Sequence, residues 1–334
     1  MKNALLFLLK LALTAACLWW ALSKVDWRNS VLTQPGAIDF RWLFAGAIFA
    51  GMTVVLTALR WLAFLDAQSL RIPVARAVEL TMIGNLFNLV SFGGIGGDAS
   101  RVILLNRDRP NNKVLITMTI LMDHLMGLVA LALVFFVISA VRFDALAEQS
   151  RLGKEVIRFA WVMLGGGLSI VVLIFVCASP PVHRRIHANG RFDRFPLMRQ
   201  MPEIYDVYRR KWRHMLVGLL LSLVLLATYF ASFWCGLRAV GGTASAGTIF
   251  AAMPVIDSIC SMPVSVGGVG VREKLFEVLL KDLAGVPATV AVGASLAGFA
   301  CNVLWALVGA LFFLKPKDRI RRREFEAEGA DPGR

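Results

Sequence analysis

Charge stands in two places where an apolar chain has little reason to put it. Ser91-Phe92-Gly93-Gly94-Ile95-Gly96 runs into Asp98 and Arg101, and Ser265-Val266-Gly267-Gly268-Val269-Gly270 runs directly into Arg272 and Glu273. Glycines at 93, 94, 96, 267, 268 and 270 permit positive φ and close approach, so that successive backbone N–H groups converge on one point. A helix starting after such a turn adds the positive end of its dipole, which favours an anion. Arginine meets phosphate with a bidentate fork, while the carboxylates either hold an arginine in place or meet an amine. Asp98, Arg101, Arg272 and Glu273 are therefore expected to bind a charged headgroup, with the glycines shaping the backbone around it. The competing reading is that the glycine pairs let helices pack closely and the charges snorkel to an interface. Repetition of the turn favours the binding site.

Other polar residues extend the candidate site as cavity-lining positions. Asn85 and Asn88, three apart, share a helix face leading to the first turn, where they either contact a headgroup or cap a broken helix. Asp123 and His124 are adjacent and so point about 100° apart on a helix; they line a polar cavity or take part in proton coupling. Asp257 lies in the stretch PVIDSICSMP before the second turn and needs a cationic partner such as Arg101 or Arg272. Asn302 reads as an interhelical hydrogen bond. No HExxH, GxxxxGK[ST] or GxSxG pattern occurs, and the 4 histidines are scattered. No metal centre, cofactor or catalytic residue is expected, and the chain does not read as an enzyme.

The elements that must position these residues are membrane helices. Of the 334 residues 57% are hydrophobic and 17% charged, and the mean hydropathy is +0.67. Apolar runs at 4–22, 42–59, 114–141, 159–178, 215–238 and 288–314 match the roughly 20 residues a spanning helix needs. Leu13-Thr14-Ala15-Ala16-Cys17 loosely has the form of a lipoprotein cleavage box. With Thr14 in place of a bulky aliphatic residue and Lys10 inside the apolar stretch, an uncleaved first span is expected instead. Cys17, Cys177, Cys235, Cys260 and Cys301 all fall in apolar stretches and read as small buried hydrophobes.

Lys and Arg exceed Asp and Glu most clearly in the connections 60–77, 98–113, 179–214 and 315–323. By the positive-inside rule these are cytoplasmic, as are both termini, in a multi-pass protein of the cell (inner or plasma) membrane. The net charge of +14 is then a topology signal with affinity for anionic headgroups, not a nucleic-acid footprint. The basic loop 179–214 reads as an interfacial element of the inner leaflet, or as a docking surface for a partner.

The two glycine turns are 174 positions apart, and the same offset carries the run 42–59 into 215–238 and 114–141 onto 288–314. Each half, 1–141 and 159–316, then holds three full spans and one glycine segment. Three is odd, so the second half enters from the opposite face. The glycine segments are too short and too charged to cross, and read as re-entrant hairpins. Val271 to Ala284 should be an amphipathic helix, with Leu275, Phe276, Leu279, Leu280 and Leu283 on one side and Glu273, Glu277 and Lys281 on another. The expected fold class is an all-α polytopic membrane protein with six full transmembrane helices and two re-entrant helical hairpins in an inverted-topology repeat, countable as eight segments. A charged cytoplasmic tail, 317–334, follows.

Three stretches resemble one family, the transmembrane (flippase-like) domain of lysylphosphatidylglycerol synthases and its stand-alone relatives. Ala58-Leu59-Arg60-Trp61 looks like the family's LRW signature. Asn85 to Arg101 (NLFNLVSFGGIGGDASR) resembles its first motif, without the usual proline at Val90 or Ser91. Pro263 to Glu273 (PVSVGGVGVRE) is similar to its second. The resemblance covers residues 1–316 and implies movement of a polar or phosphate-bearing lipid between leaflets without nucleotide hydrolysis. Partners would be membrane lipids, whether anionic, aminoacylated, isoprenoid or glycolipid. As the chain ends at Arg334, a soluble aminoacyltransferase domain is not expected, and synthase activity with it. The alternatives are a non-transporting accessory subunit for a lipid-modifying or lipid-glycosylating enzyme, and a membrane transferase using Asp98 or Glu273 as a base. Oligomeric state, direction and ion coupling stay open.

Overall fold

The computed structural model describes residues 38–90, 95–141, 150–179, 205–262 and 266–314. The run 4–22, Gly93 and Gly94 of the first turn, most of the basic loop and the tail 317–334 lie outside the described residues. Regular structure within them is helical: α1 Phe40–Ala67, α2 Val74–Val90, α3 Ile95–Asp108, α4 Lys113–Val141, α5 Arg151–Ala178, α6 Trp212–Ala239, α7 Ala246–Cys260, α8 Val271–Ala284 and α9 Ala288–Phe313. A 3-10 turn, Val266–Gly268, precedes α8.

Local chemistry sets the ends. Asp39, Ser150 and Ser245 cap α1, α5 and α7 by accepting from the backbone N–H groups of Arg41, Gly153 and Thr248. Gly285, left-handed at φ 62°, closes α8. Five of the helices (α1, α4, α5, α6 and α9) are long and apolar enough to cross a bilayer. At 26 to 29 residues, α1, α4, α6 and α9 reach roughly 39–44 Å against a hydrocarbon core of about 30 Å. Their outward faces are ridges of large apolar side chains, such as Phe40, Phe44 and Ile48 on α1 or Leu304, Leu307 and Leu311 on α9. Such faces are what lipid contact requires.

The order long, short, short, long occurs twice, as α1 to α4 and as α6 to α9. The leading members, α1 and α6, pack antiparallel along their whole length. Asp39 N–H donates to the Ala239 carbonyl (3.0 Å), Lys211 Nζ to the Ala67 carbonyl (2.9 Å), and Thr53 and Thr228 meet through their hydroxyls (3.0 Å) midway. α9 packs against α6 where Gly236 faces Gly298, a point at which a Cβ on Gly236 would lie 2.6 Å from a backbone nitrogen. Small residues permit such an approach.

Two sequence expectations change. The run 42–59 stops where hydropathy meets Arg60, yet the helix continues to Ala67 with Arg60 buried inside it, because a partner neutralises the charge. The helix Val271–Ala284 has the expected bounds and buries Leu275, Phe276, Leu279 and Leu280, but Glu273 belongs to the buried face as well, with no exposed surface. Its carboxylate accepts from the Gly270 N–H at the head of the helix, so capping overrides amphipathic pattern.

Candidate functional site

Each glycine segment joins two short helices lying side by side. In the first pair, Arg76 at the start of α2 bonds Asp108 at the end of α3 (2.7 Å), so the arms run antiparallel. Near the turn they touch backbone to backbone: a Cβ on Gly97 would stand 2.4 Å from both the Gly84 carbonyl and Asn88 Oδ1. Asn88 accepts from the Gly97 N–H (2.8 Å), satisfying one of the orphan donors at the head of α3. Gly96 lies within α3. In the second turn Gly267, Gly268 and Gly270 are all at positive φ (59°, 74° and 85°), a region other L-residues rarely adopt.

The charged residues after the turns are committed to partners. Behind the first turn, Arg60 Nε donates to Asp123 Oδ1 (2.6 Å) and Arg60 Nη1 to Ser222 (3.1 Å). Arg101 Nη1 approaches the other carboxylate oxygen at 3.9 Å. Its guanidinium lies over Trp61 at 5.5 Å, and Trp61 donates to Thr119. Arg101 is 4% exposed and Asp123 1%, and Arg101 Nε has no hydrogen-bond partner among the described residues. Two buried arginines thus share one carboxylate. Asp98 turns to His124 instead of Arg101, at 2.7 Å.

Behind the second turn the pairing is local. Arg272 Nη2 donates to Glu273 Oε1 (3.1 Å), Arg272 Nε to Ser295 (3.2 Å), and Ser295 to Glu273 (2.8 Å). Phe299 and Phe233 take the guanidinium at 4.0 and 5.8 Å. Asp257 neighbours the Tyr229 hydroxyl and feels the charge of Arg272, not Arg101.

A cavity of about 290 Å³ lies where the halves meet. Its polar groups come from Thr53, Thr57, Asn85, Asn88, Tyr229 and Asn302; Gly267 of the second turn and a larger apolar surface that includes Val54, Leu89, Phe299, Val303 and Ala306 make up the rest of the described wall. Thr53 and Asn302 stand near the middle of α1 and α9. Both glycine segments reach this space, the first through Asn85 and Asn88 and the second through Gly267. Asp98, Arg101, Asp123, His124, Asp257, Arg272 and Glu273 are not among its lining residues. Asn302 makes the interhelical contact expected of it, to Ser232 (3.4 Å), and also bonds the Gly298 carbonyl.

Sequence reasoning quoted Arg60 and Trp61 as a signature but assigned them no role. The available signal was Asp123, an acid deep in an apolar run that requires a cation from another helix. Thr53, Thr57, Tyr229 and Phe299 carried no signal, since neutral polar and aromatic residues are common in membrane helices.

Residues 7–310 match the model of the lysylphosphatidylglycerol synthase TM region. No curated protein matches the chain. The match spans nearly all of it, and the chain belongs to that family of membrane domains.

Proposed function

We propose that this protein is a lipid translocase, moving a polar lipid between leaflets without hydrolysing a nucleotide and without altering the lipid. The observation that carries this reading is the cavity, set at mid-height of the long helices and walled by both glycine segments. Irregular backbone at that depth is tolerated where it is buried in protein or borders a wet cavity. The antiparallel packing of α1 on α6 supports an inverted-topology repeat, in which symmetric halves rock about a central site. The pairs α2–α3 and α7–α8, with helices of 14 to 17 residues, reach only about 21–26 Å and are read as re-entrant hairpins from opposite faces. With the run 4–22 as a further span, six full helices result, both termini being cytoplasmic.

In this reading the cavity wall meets the headgroup, while Arg101, Asp98, Arg272 and Glu273 hold the hairpin arms in place. Transport runs down the lipid's own gradient or is coupled to an ion. The test is reconstitution of the purified chain into vesicles carrying head-labelled lipids, with inner-leaflet label followed by an impermeant quencher. Protein-dependent loss of protected label is expected. No acceleration for any lipid would leave the accessory-subunit role.

A further inference from the structure

Among the described residues the cavity wall is largely apolar, and the polar groups set into it are uncharged. Thr53, Thr57, Asn85, Asn88, Tyr229 and Asn302 supply hydroxyls and amides, while near the turns Arg60 and Arg101 share Asp123, Asp98 meets His124, and Arg272 pairs with Glu273. A charged headgroup entering this space would leave water and meet no counter-ion among the described residues of the wall. Burying an unpaired ion is strongly unfavourable.

The hydrogen-bonding capacity left over on the wall has a definite character. Among the described residues the Asn85 amide makes no hydrogen bond, leaving its oxygen and its NH₂ both available. Asn88 commits its oxygen to Gly97 and keeps its NH₂. Asn302 commits its NH₂ to Gly298 and Ser232 and keeps its oxygen. Donors and acceptors therefore stand side by side, which is what a hydroxyl needs, since it donates once and accepts up to twice. Phe299 and Val303 add apolar surface for the carbon face of a ring or the first methylenes of a tail. About 290 Å³ is at the lower edge of the usual range for small-molecule sites, roughly 300–1,000 Å³. The space suits one small unit and not an oligosaccharide.

We infer that the cavity between the glycine segments takes an uncharged, hydroxyl-rich lipid headgroup, a single sugar or polyol, in preference to an anionic or cationic one. This rests on the translocase reading for its purpose but not for its test. Neither Asp257 nor Arg272 is among the lining residues, and the Arg272 guanidinium lies over the Phe299 ring at 4.0 Å.

The experiment compares lipids with identical acyl chains: monoglucosyl diacylglycerol, phosphatidylglycerol and lysylphosphatidylglycerol. Retention on the detergent-solubilised chain is measured by native mass spectrometry. Monoglucosyl diacylglycerol should bind at least tenfold more tightly than either charged lipid. Asn85→Leu should remove that preference at unchanged melting temperature, and Asn85→Asp should move it towards the cationic lipid. Equal or tighter binding of phosphatidylglycerol or lysylphosphatidylglycerol by the unaltered chain overturns the assignment, and needs no variant to fold. The same lipids in vesicles separate the two ideas. Binding of the glucolipid with no crossing of any lipid defeats the translocase reading alone. Crossing of the charged lipids without the neutral one defeats the headgroup assignment alone.

Discussion

The two glycine segments place an arginine close behind the turn and bury it under aromatic rings, yet they neutralise it by opposite means. Arg272 has its acid next door in Glu273, with Ser295 of α9 bridging the pair. Arg101 depends on Asp123, carried on α4, and shares that carboxylate with Arg60 of α1, itself bonded to Ser222 of α6. The second site is closed within one helix and a neighbour. The first ties a hairpin to three long helices through a single acid, so its integrity depends on the arrangement of the whole bundle. What separates them is how far along the chain the counter-charge lies.

Seven substitutions test that contrast. The largest effect belongs to Asp123→Asn, which keeps the shape and strands two buried arginines. A loss of about 3–5 kcal/mol is expected from breaking such a pair, read as a fall in melting temperature in detergent. Adding Arg101→Met should return a large part of it, and Glu273→Gln should cost less, since Arg272 keeps Ser295 and two rings. A Glu273→Gln loss equal to or above that of Asp123→Asn would end the comparison.

Gly97→Ala comes next, because the added methyl meets the Gly84 carbonyl and Asn88 where the two arms touch. Overpacking of this kind costs about 1–3 kcal/mol. Gly267→Ala meets an ordinary contact with the Phe299 ring at 3.8 Å but a φ of 59°, for which about 1–2 kcal/mol is expected. Melting curves that rank these two the other way would show the second turn to be the tighter one. Ser295→Ala removes the bridge and leaves Arg272 and Glu273 in contact, so thermal unfolding should report about 1 kcal/mol. The smallest change is His124→Gln. That histidine's side chain is 59% exposed in its contact with Asp98, and solvent-screened pairs contribute at most about 1 kcal/mol. A loss well above that would mean the Asp98 contact also holds the first hairpin to α4.

Hydropathy and the glycine signals made most of the helical order legible. The expected runs 114–141, 215–238 and 288–314 became Lys113–Val141, Trp212–Ala239 and Ala288–Phe313, because an apolar stretch of that length has no alternative in lipid. Asn88 was legible as a cap, since three-residue spacing aims it at the turn. Glu273 was grouped with Glu277 and Lys281 on the polar side of its helix: periodicity reports a face, while a carboxylate at the third helical position can fold back onto the head of its own helix. Arg60 was lost at the edge of a run for a related reason, as a hydropathy average counts a charge without knowing its partner.

Composition, run lengths and the doubled turn by themselves determined that the chain is a membrane protein of long helices with two broken segments, and brought the family into view. These are properties of contiguous residues, set by helix period, backbone satisfaction and transfer out of water. The destination of each charge was decided only by the tertiary structure. Asp123 lies 63 residues from Arg60, and Ser222 lies 162 from it, separations over which no local rule acts. Whether a buried ion is a ligand contact or a structural brace depends on which helix packs beside it. Here the packing pairs the charges with one another and leaves amides and hydroxyls to face the cavity.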